Sequence, residues 1–251
     1  MVRRDAAQRS ESKSTHAAKE ADAQPPPPPP LPEAKTVLVG DGHCVIEYVE
    51  VLPSESSTKE ALTIVLIPGA PGSYQDFRYI IPLLSKRARV IAVNAPGYGE
   101  SKAAVAMLCK DDPNVFILGH SFGGHMAINM VARAEEKGYP IRFKGLALLA
   151  SVGHKPHRSL APRTMYVLQS IVVADIPIIS RAMALFTRWL MCTVAGFPRS
   201  LPVNFFVSST IRASTAEYDA VMDDVATLAH MPTFHAWSRK YPRVYPYCQE
   251  Q

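Results

Sequence analysis

The sequence predicts an α/β fold in which a mostly parallel central sheet is flanked by helices. Short apolar runs alternate with helical patterns, and this alternation is typical of parallel strands joined by crossover helices. One of these runs leads directly into the hexapeptide Gly119-His120-Ser121-Phe122-Gly123-Gly124, and a helical pattern follows it. The chain has 251 residues, of which 47% are hydrophobic, and this is enough for one large α/β domain with a terminal tail.

Residues 1–35 differ in composition from the rest of the chain. They are polar and end in six consecutive prolines, Pro25 to Pro30, followed by Leu31 and Pro32. Such a segment buries too little apolar surface to fold, so we expect a disordered tail with an extended polyproline run. Two interpretations stay open, a stiff spacer and a ligand for a proline-reading domain. The folded domain is predicted to cover residues 36–251.

The first half of the domain is predicted to build most of the sheet. Residues 36–39 and 44–51 predict an antiparallel strand pair around a Gly-Asp-Gly turn. The apolar runs at 62–67, 89–93, 115–118 and 143–150 are typical of strands buried on both faces. Helices are predicted over 73–85, which opens with a Ser73 and Asp76 capping box, and over 121–137.

The second half of the domain is predicted to be helical. Residues 152–230 lack a strand pattern and contain several apolar helical segments, which we interpret as a helical lid. Charged residues and a proline interrupt the most apolar part, 165–197, so we expect no transmembrane segment there. An amphipathic lid that touches lipid or an apolar substrate remains open. Residues 231–237 return to a strand pattern.

Charge and cysteine content exclude several classes of protein. The 27 Lys+Arg against 22 Asp+Glu give a net charge of +5 without a dense basic cluster, so no nucleic-acid partner is predicted. The four cysteines lack the spacing of a zinc site or a disulfide framework. No apolar segment follows Arg3 and Arg4, so no signal peptide is expected and a cytoplasmic location is predicted.

The glycine-flanked serine predicts a nucleophile. In a G-x-S-x-G turn between a strand and a helix, Ser121 would adopt a strained backbone conformation that exposes its hydroxyl at the sheet edge. Gly119 and Gly123 would prevent clashes with the neighbouring chain. The alternative interpretation is a plain glycine turn without chemistry.

Three motifs in order resemble the α/β-hydrolase superfamily: residues 64–73 (IVLIPGAPGS), residues 90–101 (VIAVNAPGYGES) and residues 116–124 (FILGHSFGG). The resemblance implies a serine hydrolase that acts on a small-molecule ester, amide or lipid-like substrate without a cofactor or a metal. By this resemblance Ser121 is the nucleophile. The loop at Gly69 supplies the oxyanion hole through the N–H of Ala70, together with the N–H of Phe122. Pro71 has no N–H and cannot serve.

The base and the acid of a catalytic triad are not found by the same resemblance. Relatives place them after the strand expected at 231–237, but residues 238–247 contain no aspartate, glutamate or histidine. We therefore expect a chain that lacks the last strand and the triad histidine, with 231–237 as an exposed apolar edge. The alternative function is a non-catalytic hydrolase-fold protein that acts as a binding module.

The histidines of the chain give one weak candidate for the base. His235 lies near the correct end of its strand, although a buried core histidine is the favoured interpretation. His230 precedes that strand and is expected at the opposite sheet edge. Histidines 154 and 157 are interpreted as lid or pocket residues, His120 as part of the turn, and His125 as a helix residue packed near it.

Overall fold

The computed structural model describes residues 29–55, 62–70, 72–94, 98–136, 138–151, 153, 167, 170–171, 176–194, 197, 199–214 and 216–236. By its internal contacts the chain divides into residues 1–30 and residues 31–251. The elements below belong to the second unit. The predicted tail at 1–28, the proline run included except for its last residues, lies outside the described residues.

The fold is built around one sheet of seven strands in the spatial order β1-β2-β4-β3-β5-β6-β7. The two pairings that involve β2 are antiparallel, and all the others are parallel. This confirms the predicted mostly parallel sheet. The strands are β1 (Lys35–Val39), β2 (Cys44–Val51), β3 (Leu62–Ile67), β4 (Arg89–Val93), β5 (Asn114–His120), β6 (Phe143–Leu149) and β7 (Thr233–Ala236).

Helices connect and flank these strands. They are α1 (Ile81–Leu84), α2 (Tyr98–Leu108), α3 (Phe122–Glu136), α4 (Pro177–Val194), α5 (Val203–Ser214) and α6 (Tyr218–Thr227). A 3₁₀ helix, Tyr74–Phe77, precedes α1. The helical character predicted for 152–230 is thus observed in α4, α5 and α6.

Both faces of the central strands are buried, as their continuous apolar runs predict. Val65 and Ile117 belong to a large cluster on one face, whereas Leu66 and Leu118 belong to a second cluster on the other. The alternation follows from the two-residue repeat of a strand. Helices therefore cover both faces of the sheet centre, which leaves the strand ends and loops to form a site.

The prediction of one continuous helix over 73–85 is wrong. Its capping box is present, because Ser73 Oγ accepts from Gln75 N at 3.2 Å and Asp76 Oδ2 accepts from Ser73 N at 3.2 Å. The 3₁₀ helix then ends at Phe77, a turn follows, and α1 begins at Ile81. Pro82 explains the break, because it has no N–H and its ring clashes with a carbonyl one turn earlier.

The strand order contains a switch point beside β3. The chain passes from β3 to β4 on one side, and then crosses to β5 on the other side of β3. Loops that leave β3 and β5 therefore diverge, and such a switch point opens a crevice at the carboxyl ends of the strands. The loop at 68–70 and the turn at Ser121 meet at this position.

Candidate active site

Ser121 occupies the turn between the end of β5 and the start of α3. It is one of three described non-glycine residues with positive φ, at +52°, in the left-handed region that side chains rarely adopt. Its N–H donates to the carbonyl of Leu149 at 3.0 Å, and its carbonyl accepts from Gly124 N at 2.9 Å. The neighbouring strand β6 and the helix start therefore fix the strained backbone that the sequence predicts.

The glycines around Ser121 are required by close backbone approach. A Cβ on Gly119 would overlap the backbone of Gly123 and Gly124, and a Cβ on Gly123 would overlap the carbonyl oxygens of Ile67 and Pro68. A larger residue at Gly119 would push the start of α3 away from β5, and a larger residue at Gly123 would push it away from the end of β3. The two glycines thus set how closely the Ser121 turn approaches the loop after β3.

The loop after β3 lies directly against Ser121. A Cβ placed on Gly69 would be 2.9 Å from Ser121 Cβ, so only glycine fits there without movement. Ala70 follows in the same loop and is half-buried. Phe122 is the first residue of α3, and the first N–H groups of a helix have no partner within the helix. Pro71 lies outside the described residues.

The terminal charge of α3 favours an anion at this point. The aligned peptide dipoles of a helix give its N-terminus a partial positive charge, and α3 begins immediately after Ser121. A developing negative charge beside Ser121 would therefore be stabilised by this helix end as well as by individual N–H donors.

A carboxyl–imidazole pair lies beside the same loop. Desolvation by burial raises the pKa of Asp76, and burial lowers the pKa of His120, while each group acts on the other through its charge. The Asp76 carboxylate packs on Gly72 and Ser73, although the residue as a whole is solvent-accessible. The sequence indicated Asp76 only as a helix cap. Its proximity to His120 follows from the pairing of β3 with β5, which no local pattern encodes.

His125 is a buried helix residue near the turn, as predicted. It is 1% exposed, and its Nε2 lies 3.2 Å from the carbonyl oxygen of Gly153, which belongs to the segment after β6. Its ring packs edge-on against Phe122 and Tyr218, with centroid distances of 6.1 Å and 5.5 Å. His125 therefore connects α3 to α6 and to the segment that follows β6.

The expectation that His235 is a core residue is wrong. His235 is exposed, because β7 lies at the edge of the sheet and pairs only with β6 among the described strands. In register, His235 faces Leu148, which faces Gly119 on β5. Two strand spacings separate His235 from Gly119, about 10 Å.

The other histidines do not supply a base within the described part of the chain. His230 precedes β7, which is parallel to β6, so it lies at the opposite sheet edge as predicted. Histidines 154 and 157 lie outside the described residues. No imidazole nitrogen of the described residues is hydrogen-bonded to the Ser121 hydroxyl. Ser151, which the sequence did not indicate, lies close to Gly124 at the start of α3.

The described residues hold no group of three His, Cys, Asp or Glu side chains that could bind a metal ion. Among them, no helix is long and apolar enough to cross a membrane. Cys44, Cys109 and Cys192 form no disulfide among the described residues, and burial raises the pKa of Cys109 to about 12, which makes it unreactive. A small apolar pocket between α2 and α3 is lined by Val105 and Met130, and none of its lining residues belongs to the Ser121 turn.

Comparisons with known proteins agree with this geometry. The family model described as alpha/beta hydrolase fold matches residues 63–173, the segment that contains both the 68–70 loop and Ser121. An α/β-hydrolase fold protein from Burkholderia ambifaria aligns over 83% of this chain and 81% of its own, with a TM-score of 0.56 and 19% identity.

Curated relatives match a shorter part of the chain. An uncharacterized protein of Caenorhabditis elegans is 29% identical over 138 residues, which are 47% of this chain and 37% of that protein. Bifunctional epoxide hydrolase 2 of Sus scrofa is 36% identical over 104 residues, which are 34% of this chain and 18% of that protein. The chain thus spans well under two thirds of the length of these relatives. Sheet order, family model and structural likeness agree that this chain has the α/β-hydrolase fold.

Proposed function

We propose that this protein is a serine hydrolase that cleaves an ester, amide or lipid-like acyl bond through Ser121. The observation that carries the proposal is the positive φ of Ser121 at the carboxyl end of β5, with the Gly69 loop packed against its Cβ. A serine held this way presents its hydroxyl in the crevice where the sheet order favours ligand binding. A serine at this position favours acyl transfer with a covalent intermediate.

The proposed reaction uses backbone donors on both sides of Ser121. Its Oγ attacks the acyl carbon, and the carbonyl oxygen becomes an oxyanion that accepts from the N–H groups of Ala70 and Phe122. The leaving group departs as the carbonyl re-forms, and water then releases the acyl group from Ser121. The positive end of α3 stabilises the same oxyanion.

The serine proton requires an acceptor in this reaction. Two histidines outside the described residues, 154 and 157, follow the end of β6 by five and eight residues in the sequence. The carboxyl end of β6 lies at the same sheet edge as Ser121, because β5 and β6 are parallel. We place them as candidates for the base ahead of His235. The helices of 152–230 are proposed as the lid over this edge.

One observation favours a second function, a binding module without catalysis. No imidazole among the described residues is hydrogen-bonded to Ser121, so activation of the hydroxyl depends on groups beyond them. Such a protein would bind an acyl compound in the crevice and release it unchanged. The proline run at Pro25–Pro32 and its proline-reading partner remain predictions.

Ester hydrolysis separates the two functions. We expect the full chain to cleave p-nitrophenyl acetate, butyrate or octanoate, and Ser121→Ala to lower kcat/KM by roughly 10³ or more, because the covalent route is lost. Ser151→Ala is the matched control, since Ser151 is a second serine beside the start of α3. Absence of turnover in the wild type, or equal loss in both variants, would sink the proposal.

A further inference from the structure

Helix α4 exposes an apolar face to solvent. Ile178, Leu185, Phe186 and Trp189 are 84%, 50%, 47% and 57% exposed, and with Ile179 they recur at the three- and four-residue spacing of one helix face. We call these five residues the α4 stripe. The Phe186 and Trp189 rings stack with centroids 5.8 Å apart, which makes the middle of the stripe a continuous aromatic surface.

Two hydroxyl side chains of α4 lie on the side opposite the stripe. Thr187 is only 1% exposed, and its hydroxyl donates to the carbonyl of Met183 at 2.9 Å. Ser180 Oγ donates to the carbonyl of Ile171 at 3.2 Å. A surface helix normally buries its apolar face and exposes its polar one. Helix α4 instead exposes a largely apolar face, so burying this face requires an apolar medium or partner.

All the charged side chains of helices α4 and α5 are arginines. The sequence from Ile176 to Ala216 contains four arginines, at positions 181, 188, 199 and 212, and no aspartate or glutamate. Arg181 is exposed and Arg188 is half-buried, and both lie on α4. A second copy of this surface would bring two arginine sets together and repel. An anionic surface complements it.

We propose that α4 docks this protein on an anionic lipid bilayer, with the α4 stripe inserted at the acyl boundary and Arg181 and Arg188 directed to the phosphate headgroups. Helices that lie in the membrane interface combine a Trp, Phe and Leu face with arginines and lie parallel to the bilayer. Trp189 suits the interface because its ring is apolar while its N–H can reach water or a headgroup. The inference is independent of the chemistry of Ser121.

Vesicle co-sedimentation of the full chain tests the proposal. We expect binding to vesicles of phosphatidylcholine with phosphatidylglycerol, at least about tenfold weaker binding to phosphatidylcholine alone, and a loss of binding in high salt. The tryptophan emission should shift to the blue on binding. Because Trp189→Phe leaves Trp237 as the remaining tryptophan, loss of the shift in this variant would assign it to Trp189.

Substitutions on and off the stripe locate the surface. Phe186→Ser with Trp189→Ser should weaken binding about tenfold or more, whereas Leu83→Ser, an exposed leucine on α1 at 64% exposure, should leave it unchanged. Arg181→Gln with Arg188→Gln should remove the preference for anionic vesicles. Circular dichroism establishes that each variant is folded.

Three results would overturn the proposal. The first is that the wild type sediments with neither vesicle. The second is that the stripe variant binds as the wild type does. The third is that sedimentation velocity without lipid shows self-association that the stripe variant abolishes while lipid binding is unaffected, which would assign the stripe to contacts between copies of the chain.

Discussion

At the scale of single residues, the site depends on one strained position and the small residues around it. Ser121 holds a positive φ that costs of order 1–3 kcal/mol, and it persists because bonds to Leu149 and Gly124 fix it from both sides. Gly123 and Gly69 let the loop after β3 approach without a side chain between. In the proposed mechanism, the strain and the close approach place the Ser121 hydroxyl beside the backbone donors of Ala70 and Phe122.

The role proposed for Ala70 can be tested by removing its N–H alone. Ala70→Pro should lower kcat/KM about 10²–10³-fold, the usual cost of one oxyanion donor, because proline has no N–H. Ala70→Ser retains the N–H and should stay within a few-fold of the wild type. Steady-state kinetics measure the effect, and matching thermal midpoints exclude unfolding. Equal activity of the proline variant would contradict the assignment.

Sequence predicted the residues of this turn because their requirement is local. A glycine pattern between a strand and a helix predicts the conformation of Ser121 without knowledge of any distant contact. The exposure of His235 was not predictable in the same way, because a strand pattern does not reveal that only one described strand, β6, pairs with β7. The proximity of Asp76 and His120 likewise needs the β3–β5 pairing.

At the scale of elements, α6 is attached to α3 by one buried carboxylate. Asp224 is 5% exposed, accepts from Asn129 Nδ2 at 2.6 Å and lies 3.3 Å from Arg133 Nε. Tyr218 at the start of the same helix packs on His125, close to the Ser121 turn. Asp224 thus helps to hold the helix whose first residue, Tyr218, packs on His125.

Loss of this carboxylate should loosen α6. Asp224→Ala should lower the free energy of unfolding by about 1.5–3 kcal/mol, because it removes the charged acceptor of Asn129 and the ion pair with Arg133. Asp223→Ala is the control, since Asp223 is its exposed neighbour on the same helix. Urea unfolding of both variants measures the difference, and an equal effect of the two substitutions would show that Asp224 has no special role.

Elements were predictable where their pattern is long and uninterrupted. Helix α3 is close to the predicted 121–137, and β6 is close to 143–150. The prediction of one helix over 73–85 was wrong in its continuation. Its start signal at Ser73 is correct, but Pro82 interrupts the helix after it. The contact between Asn129 and Asp224 joins residues 95 positions apart in the sequence, so no local sequence window could have shown it.

At the scale of the whole molecule, the sheet order brings the site together. After β4 the chain crosses past β3 to form β5. The loops that carry Ala70 and Ser121 therefore leave the adjacent strands β3 and β5 in opposite directions, and this opens a crevice between the two loops. At one edge of the sheet, β7 presents Phe234 at 62% exposure, as the apolar edge predicted for 231–237. The α4 stripe is a second exposed apolar surface on another element. The proposed chemistry at Ser121 and the proposed membrane contact of the α4 stripe therefore lie on separate elements of the domain.

Covalent labelling of the folded full chain with a fluorophosphonate tests the central claim, that Ser121 is an activated nucleophile. Peptide mass mapping should find a single adduct, on the peptide that contains Ser121, and no adduct in Ser121→Ala or in heat-unfolded wild type, because activation requires the folded turn. An unlabelled wild type, or labelling that persists in Ser121→Ala, would contradict the account.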